Sequence, residues 1–265
     1  MLEPLPTLHA PDKPASTLAR SLPASAALGW LSSGWNDFRA SLGPSLVYGL
    51  GLVLLSYIIL WALYSAGLLY LTLPLISGFL IVGPFFAVGL YEKSRALDER
   101  ESISLWQMLW VRRVPVGQLA FAGLMLGILV LFWIRIADLL YALFFGLTPF
   151  PGAEDAFVNV LTTVRGWMLI IVGSAIGGLF AAFAFALSLF SIPMIMAERR
   201  DALTSLGLSF AMTTHNLRVT LAWAAIVAGG LAVSVLTGLF GLAIVFPVLG
   251  HGTWHAYKSV RRFEK

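Results

Sequence analysis

Long apolar runs, each close to the length of a membrane-spanning helix, alternate with short polar segments along most of this chain. A helix needs about 20 mostly apolar residues to cross the hydrocarbon core of a bilayer. The run 220–258 has no charged residue before its final lysine and is long enough for two spans, divided near the glycines of 237–241. The pattern therefore predicts six spans, at 45–67, 68–91, 118–147, 167–197 and on either side of the break within 220–258.

A shorter amphipathic stretch precedes the first, third and fifth predicted spans, at 27–46, 102–119 and 201–221. Apolar residues recur there at three- and four-residue steps, the spacing of one helix face. These are Leu28, Leu31, Trp35, Phe38 and Leu42 in the first stretch, and Leu203, Leu206, Phe210 and Leu217 in the third. We interpret the stretches as interfacial helices whose apolar side chains enter the headgroup boundary. Alternatively, they cap the cytoplasmic ends of neighbouring helices.

The second, fourth and sixth predicted spans each contain a proline near one end, at Pro84, Pro193 and Pro247. Proline removes a backbone donor and kinks a helix, and the freed carbonyls need partners inside the protein. We expect three helix kinks at similar depth, all facing the bundle interior. The pattern then predicts three helical hairpins related by a pseudo-threefold repeat. Each unit consists of an interfacial helix, a span that leaves the cytoplasm and a span that returns to it. Alternatively, any membrane protein built from hairpins alternates in this way.

Composition and charge support an all-α polytopic membrane protein. Of the 265 residues, 59% are hydrophobic and 11% are charged, whereas a soluble domain has about a quarter of its residues charged. Fifteen of the seventeen Lys and Arg residues lie on one side of the predicted spans, and only Arg135 and Arg165 do not. The positive-inside rule therefore predicts that both termini lie in the cytoplasm.

The predicted organisation is a flexible N-terminal lead at 1–24, a single six-helix membrane domain at 25–262 and a C-terminal tail at 263–265. The lead holds five of the thirteen prolines and no apolar run. The chain has no cysteine, which excludes disulfides, iron–sulfur clusters and cysteine nucleophiles. It contains no nucleotide-binding loop and no GxSxG or HExxH motif, so we expect no enzymatic activity, no catalytic residue and no nucleic-acid partner.

Two histidines near the C-terminus, His251 and His255, are four residues apart and share one helix face. Counted from the prolines, Glu92 and Glu198 fall near the equivalent places of the earlier returning spans. If the three returning spans meet, these four side chains converge as a polar cluster or a ligand site. Metal sites usually need more ligands, so a polar cluster is our first interpretation. No cofactor is predicted, and haem or metal at the two histidines is the alternative.

Arg135 and Asp138 lie three residues apart inside an apolar run. Charges within lipid are costly and usually pair or reach water. We predict an intramembrane charge pair near the outer headgroups; the alternative is a proton or substrate path.

The segments 78–101 ("GFLIVGPFFAVGLYEKSRALDERE"), 104–110 ("SLWQMLW") and 247–262 ("PVLGHGTWHAYKSVRR") resemble a bacterial family of predicted integral membrane proteins of unknown function, DUF2189. The resemblance covers roughly 25–262. Members are sometimes labelled as cytochrome oxidase subunits, but a catalytic oxidase subunit has several intramembrane histidines. Beyond the lead, this chain has only His215, His251 and His255. The resemblance implies a protein of the bacterial inner (cytoplasmic) membrane, and it implies no catalytic residues.

Three functional hypotheses follow. The first is a non-enzymatic accessory or scaffold subunit of a larger membrane complex, such as a respiratory one, whose partners are the lipid bilayer and other membrane subunits. The second is a small transporter or channel. The third is a haem- or metal-binding membrane protein that uses His251 and His255.

Overall fold

The structure is a computed structural model that describes residues 18–68, 71–111, 115–146 and 153–261, and this part of the chain forms helices and no strand. In chain order the helices are α1 (Ala26–Ala40), α2 (Leu42–Ser65), α3 (Thr72–Phe86), α4 (Val88–Asp98), α5 (Leu105–Leu109), α6 (Val116–Phe145), α7 (Ala153–Thr162), α8 (Val164–Ser188), α9 (Ser191–Glu198), α10 (Ala202–His215), α11 (Leu217–Leu236) and α12 (Leu242–Val260).

Four helical runs are long and apolar enough to cross a membrane: α2, α6, the combined run Val164–Glu198 and α11. They coincide with the first, third, fourth and fifth predicted spans, and helices satisfy their own backbone groups where lipid offers no partner. The other two predicted spans correspond to α3, which has only 15 residues, and to α12, which has 19. The all-α membrane class is confirmed, and the number six stays a prediction.

Helix α12 lies at the centre of the packing and contacts α1, α2, α4, α9 and α11. Small residues permit this close approach, as is common between membrane helices. A Cβ atom on Gly34 of α1 would collide with the carbonyl oxygen of Val248 and the backbone of Gly252. A Cβ atom on Gly49 of α2 would likewise collide with the backbone of Ala243. Helices α1 and α2 therefore lie backbone to backbone against α12.

The returning segments α4, α9 and α12 contact one another in pairs. The prolines differ in their settings. Pro84 lies three residues before the break between α3 and α4 at Ala87, and Pro193 lies in the first turn of α9, after the break at 189–190. Pro247 lies inside α12, which continues as one helix. Pro193 and Pro247 are buried and Pro84 is half-buried.

The predicted interfacial stretches contain α1, α5 and α10, but the protein-facing side of α1 differs from the predicted apolar face. Of that face, Phe38 is buried whereas Leu28, Trp35 and Leu42 are exposed. The other buried residues of α1 are Ala27, Trp30 and Gly34. Small residues let the helix approach α12 closely, and large apolar side chains turn towards the surroundings.

Helix α10 repeats this arrangement 175 residues later. Leu203, Phe210 and Leu217 are exposed, and the buried positions include Ala202, Ser205 and Ser209. The residues that end the two helices adopt nearly the same backbone conformation, with φ −129° and ψ 42° at Ser41 and φ −125° and ψ 36° at Asn216.

Part of the predicted flexible lead is attached to the bundle. The backbone N–H of Arg20 donates to the Asn216 side chain at 2.9 Å, and the Arg20 Nε donates to the carbonyl oxygen of Val260 at 3.0 Å. The Asn216 amide donates to the Leu18 carbonyl at 2.8 Å. Residues 1–17 of the lead and the tail 263–265 lie outside the described residues.

Candidate functional site: a buried histidine network

His251 is fully buried, and each of its ring nitrogens lies beside a serine hydroxyl. The Nδ1 atom is 2.7 Å from the Oγ of Ser94 on α4. The Nε2 atom is 3.0 Å from the Oγ of Ser45 on α2. The imidazole therefore bridges two other helices from its position on α12.

Asp37 on α1 connects both histidines. The Ser94 hydroxyl donates to Asp37 Oδ2 at 2.6 Å, and His255 Nε2 lies 2.8 Å from the same oxygen. The Ser41 hydroxyl donates to the Asp37 backbone carbonyl at 2.8 Å and lies 2.9 Å from Ser45 Oγ. We call this group the Asp37 network; its members are Asp37, Ser41, Ser45, Ser94, His251 and His255.

The electrostatics of Asp37 reflect its partners. Burial by itself would raise the pKa of Asp37, but the hydrogen bonds with His255 and Ser94 outweigh burial and hold the pKa below its ordinary value. The carboxylate is therefore charged near neutral pH and stands as the negative centre of the network.

Local sequence explains how the network forms. Asp37 lies seven residues after Trp30 and three after Gly34, so it shares the face of α1 that packs on α12. The non-helical conformation at Ser41 ends α1 and starts α2. Because the chain turns there, Ser45 in the first turn of α2 also faces α12.

Sequence reasoning identified the two histidines but missed Asp37, Ser45 and Ser94. One signal was present: an acidic residue at helical spacing from Trp30 and Gly34, on a face otherwise made of small and apolar residues. The partner on α4 left no such signal, because serine is common in many settings.

Glu198 forms a separate cluster between α9 and the end of α12. It accepts hydrogen bonds from Tyr257 Oη at 2.7 Å, from Arg261 Nε at 2.6 Å and Nη2 at 2.9 Å, and from Arg200 Nε at 2.6 Å. The hydrogen bond with Glu198 raises the pKa of Arg261. Tyr257 lies about 200° around the helix from His255, at about 100° per residue, so this cluster is on another side of α12.

Glu92 pairs within its own helix. Arg95 donates to Glu92 through Nε at 2.9 Å and Nη2 at 2.7 Å, and also contacts Glu99. The hydrogen bond with Glu92 is the main cause that raises the pKa of Arg95. Of the four predicted site residues, the structure therefore joins His251 and His255 through Asp37, and it gives Glu92 and Glu198 different partners.

The side chains around His251 and His255 provide few free ligands for a metal ion. Within the described ranges, no group of three or more His, Cys, Asp or Glu side chains is arranged to hold one. Both nitrogens of His251 already face hydroxyls, and His255 reaches Asp37.

The charge pair predicted in the third span is formed on α6. Arg135 Nη1 lies 3.3 Å from Asp138 Oδ2, and the two side chains are 80% and 47% exposed. They lie on the outer surface of the protein, and neither side chain makes a hydrogen bond to the Asp37 network.

Comparison with known proteins supports the family resemblance over the middle of the chain, a narrower range than the predicted 25–262, and it supports the membrane class. Residues 71–197 match the family model described as "Predicted integral membrane protein (DUF2189)". No curated protein and no solved structure matches the chain. The matched segment runs from the start of α3 to the last turn of α9 and includes Glu92 and Ser94, whereas Asp37, Glu198 and His251 lie outside it.

Proposed function

We propose that this protein is a non-enzymatic inner-membrane protein that serves as an accessory or scaffold subunit of a larger membrane complex, such as a respiratory one. The observation that carries this proposal is the pairing within the Asp37 network, where the polar groups bind one another across α1, α2, α4 and α12. Such pairing fixes helices in place, as expected of a scaffold.

The proposed architecture has six spans, with α3 and α12 as the second and sixth, and both termini in the cytoplasm. The mutual contacts of α4, α9 and α12 support three returning helices around a common axis. The similar burial of α1 and α10, with nearly the same backbone conformation at Ser41 and Asn216, supports a repeated unit.

Helix α5 supplies a candidate surface for the partner subunit. It begins with a capping box formed by Ser104 and Gln107. Trp106, Leu109 and Trp110 are 70%, 57% and 68% exposed. Exposed tryptophans are frequent anchors of protein interfaces, and membrane-interface tryptophans are the other common use of such a surface.

A half-open cavity among the helices favours a scaffold function over transport of polar solutes. It measures about 70 Å³ and lies between α3, α8, α11 and α12. Most of its lining is apolar, with Phe79, Val227 and Phe246 among the residues. A polar solute would lose most of its hydration there in exchange for few hydrogen bonds, because polar lining groups such as Trp223 Nε1 and Ser234 are scarce.

The test is solubilisation in a gentle detergent, followed by size analysis and mass spectrometry of co-purifying proteins. We expect a reproducible membrane-protein partner that is lost in the double variant Trp106→Ala, Trp110→Ala. The matched control is Trp61→Ala, because Trp61 on α2 is equally exposed at 70%. A monomer without a reproducible partner would contradict the proposal, and so would equal loss of the partner in both variants.

A further inference from the structure

We propose that His251 is a proton-binding site, with the Asp37 carboxylate as its counter-charge and with Ser45 and Ser41 as hydroxyls that turn when the proton binds. This inference goes beyond the scaffold function and does not depend on any partner. It rests on counting protons along the hydrogen bonds of the Asp37 network.

The neutral imidazole leaves one contact without a proton. The Ser94 hydroxyl has one proton and gives it to Asp37, so the contact between Ser94 and His251 is a hydrogen bond only in the tautomer in which Nδ1–H donates to Ser94. The Nε2 atom then has a lone pair and accepts from the Ser45 hydroxyl. The Ser41 proton goes to the Asp37 carbonyl, and no proton remains for the 2.9 Å contact between Ser41 and Ser45.

A second proton on the imidazole ring completes the series of hydrogen bonds. Nε2–H then donates to Ser45 Oγ, and the Ser45 hydroxyl turns its own proton towards Ser41 Oγ. Ser41 continues to donate to the Asp37 carbonyl, and Nδ1–H continues to donate to Ser94. Every contact from the imidazole to Asp37 then carries one proton, on both sides of the ring. The oxygen positions already fit the protonated form.

Several charged groups decide the pH at which this proton binds. Burial disfavours an imidazolium, whereas the carboxylate of Asp37 on α1, two hydrogen bonds away, and a hydrogen bond with the backbone of Leu90 on α4 favour it. Lys93 on α4 and a protonated His255 on α12 both oppose it. The Lys93 ammonium donates to the Ile103 carbonyl at 2.9 Å. Asp37 is the only negative group among these, so removing its charge should weaken proton binding.

The test is nuclear magnetic resonance of the full chain in lipid nanodiscs, with ring-¹⁵N histidine, from pH 8 to pH 2.5. His251→Asn assigns the signal. At pH 8 we expect a protonated Nδ1 and a lone-pair Nε2, and on acidification Nε2 becomes protonated. Asp37→Asn should lower the midpoint by about one pH unit or more, the usual effect of losing a nearby opposite charge.

Asp98→Asn is the matched control, because Asp98 accepts from Trp254 and Lys258 near the same end of α12; the midpoint should stay unchanged. Ser41→Ala should lower the midpoint. The Ser45 hydroxyl donates to Ser41 only when the imidazole is protonated, so this variant removes a hydrogen bond from the protonated form alone. Ser94→Ala replaces Asp37→Asn if that variant does not fold. A ring that stays in one protonation state over this range, a proton on Nε2 at pH 8, or equal midpoints in the Asp37 and Asp98 variants would overturn the proposal.

Discussion

Helix α12 and the run 164–198 are both proposed to return across the membrane, yet they have different surroundings. In the most apolar window of 164–198 the mean hydropathy is 2.3, and only 6% of that window is buried. Helix α12 is enclosed by five other helices, and it carries His251, Thr253 and Tyr257. Hydropathy therefore reports which helices face lipid. A helix enclosed by protein can carry polar groups, because its neighbours satisfy them.

The largest expected effect compares a buried leucine with one that faces the surroundings. Leu90 on α4 is fully buried and lies against Gly250 of α12, whereas Leu179 on α8 is 76% exposed. Leu90→Ala should lower the free energy of unfolding by about 2–5 kcal/mol through the cavity that it leaves. Leu179→Ala should change it by about 0.5 kcal/mol or less. Unfolding in mixed detergent, followed by tryptophan fluorescence, measures both; similar losses would mean that α12 is not the packed centre.

A second comparison uses two glycines of α1. Gly34→Ala places a methyl group against the backbone of α12, which cannot move aside, whereas Gly29 has nothing within 4 Å of its Cβ position. We expect Gly34→Ala to cost about 1–3 kcal/mol or more, and Gly29→Ala to be neutral or slightly stabilising through helix propensity. Thermal unfolding in one detergent compares them. Equal stability of the two variants would show that α1 does not pack on α12 through Gly34.

A third comparison sets Asp37 against Asp138. Asp37→Asn weakens the hydrogen bonds that join α1 to α4 and α12, and we expect a loss of about 1–3 kcal/mol. The Arg135–Asp138 pair is exposed, and exposed pairs contribute about 0–1 kcal/mol, so Asp138→Asn should have little effect. The same unfolding assay compares the stability losses of the two variants. A larger loss for Asp138→Asn would place the more important charge pair on α6.

The smallest expected effect is a pH dependence. The pKa of Asp37 is lower in the folded protein than in the unfolded chain. The contribution of Asp37 to folding stability is therefore complete above its ordinary pKa of about 3.9, and it is lost as the pH falls through the pKa in the folded protein. The stability difference between the wild type and Asp37→Asn should therefore shrink below about pH 4. Thermal midpoints from pH 7 to pH 3 measure it, and a constant difference would contradict the assignment.

The apolar pattern predicted the helical class and the four long spans, because length and hydropathy are local properties of the sequence. It also located His251 and His255 on one helix face. It misjudged the packed side of α1, where the close fit depends on Gly34 rather than on the larger Leu28 and Trp35. Counting from the prolines gave no guide to the partners of Glu198, because those depend on how α9 meets the end of α12.

The central claim is that α12 crosses the membrane even though its hydropathy does not mark it as a span. The 265-residue sequence has no cysteine, so single cysteines introduced into it can be labelled without background. Phe240→Cys lies in the exposed turn before α12, and Ser259→Cys lies near its end. A membrane-impermeant maleimide should label Phe240→Cys in intact spheroplasts, and Ser259→Cys only after the membrane is opened. Labelling of both cysteines from the same side would contradict the claim.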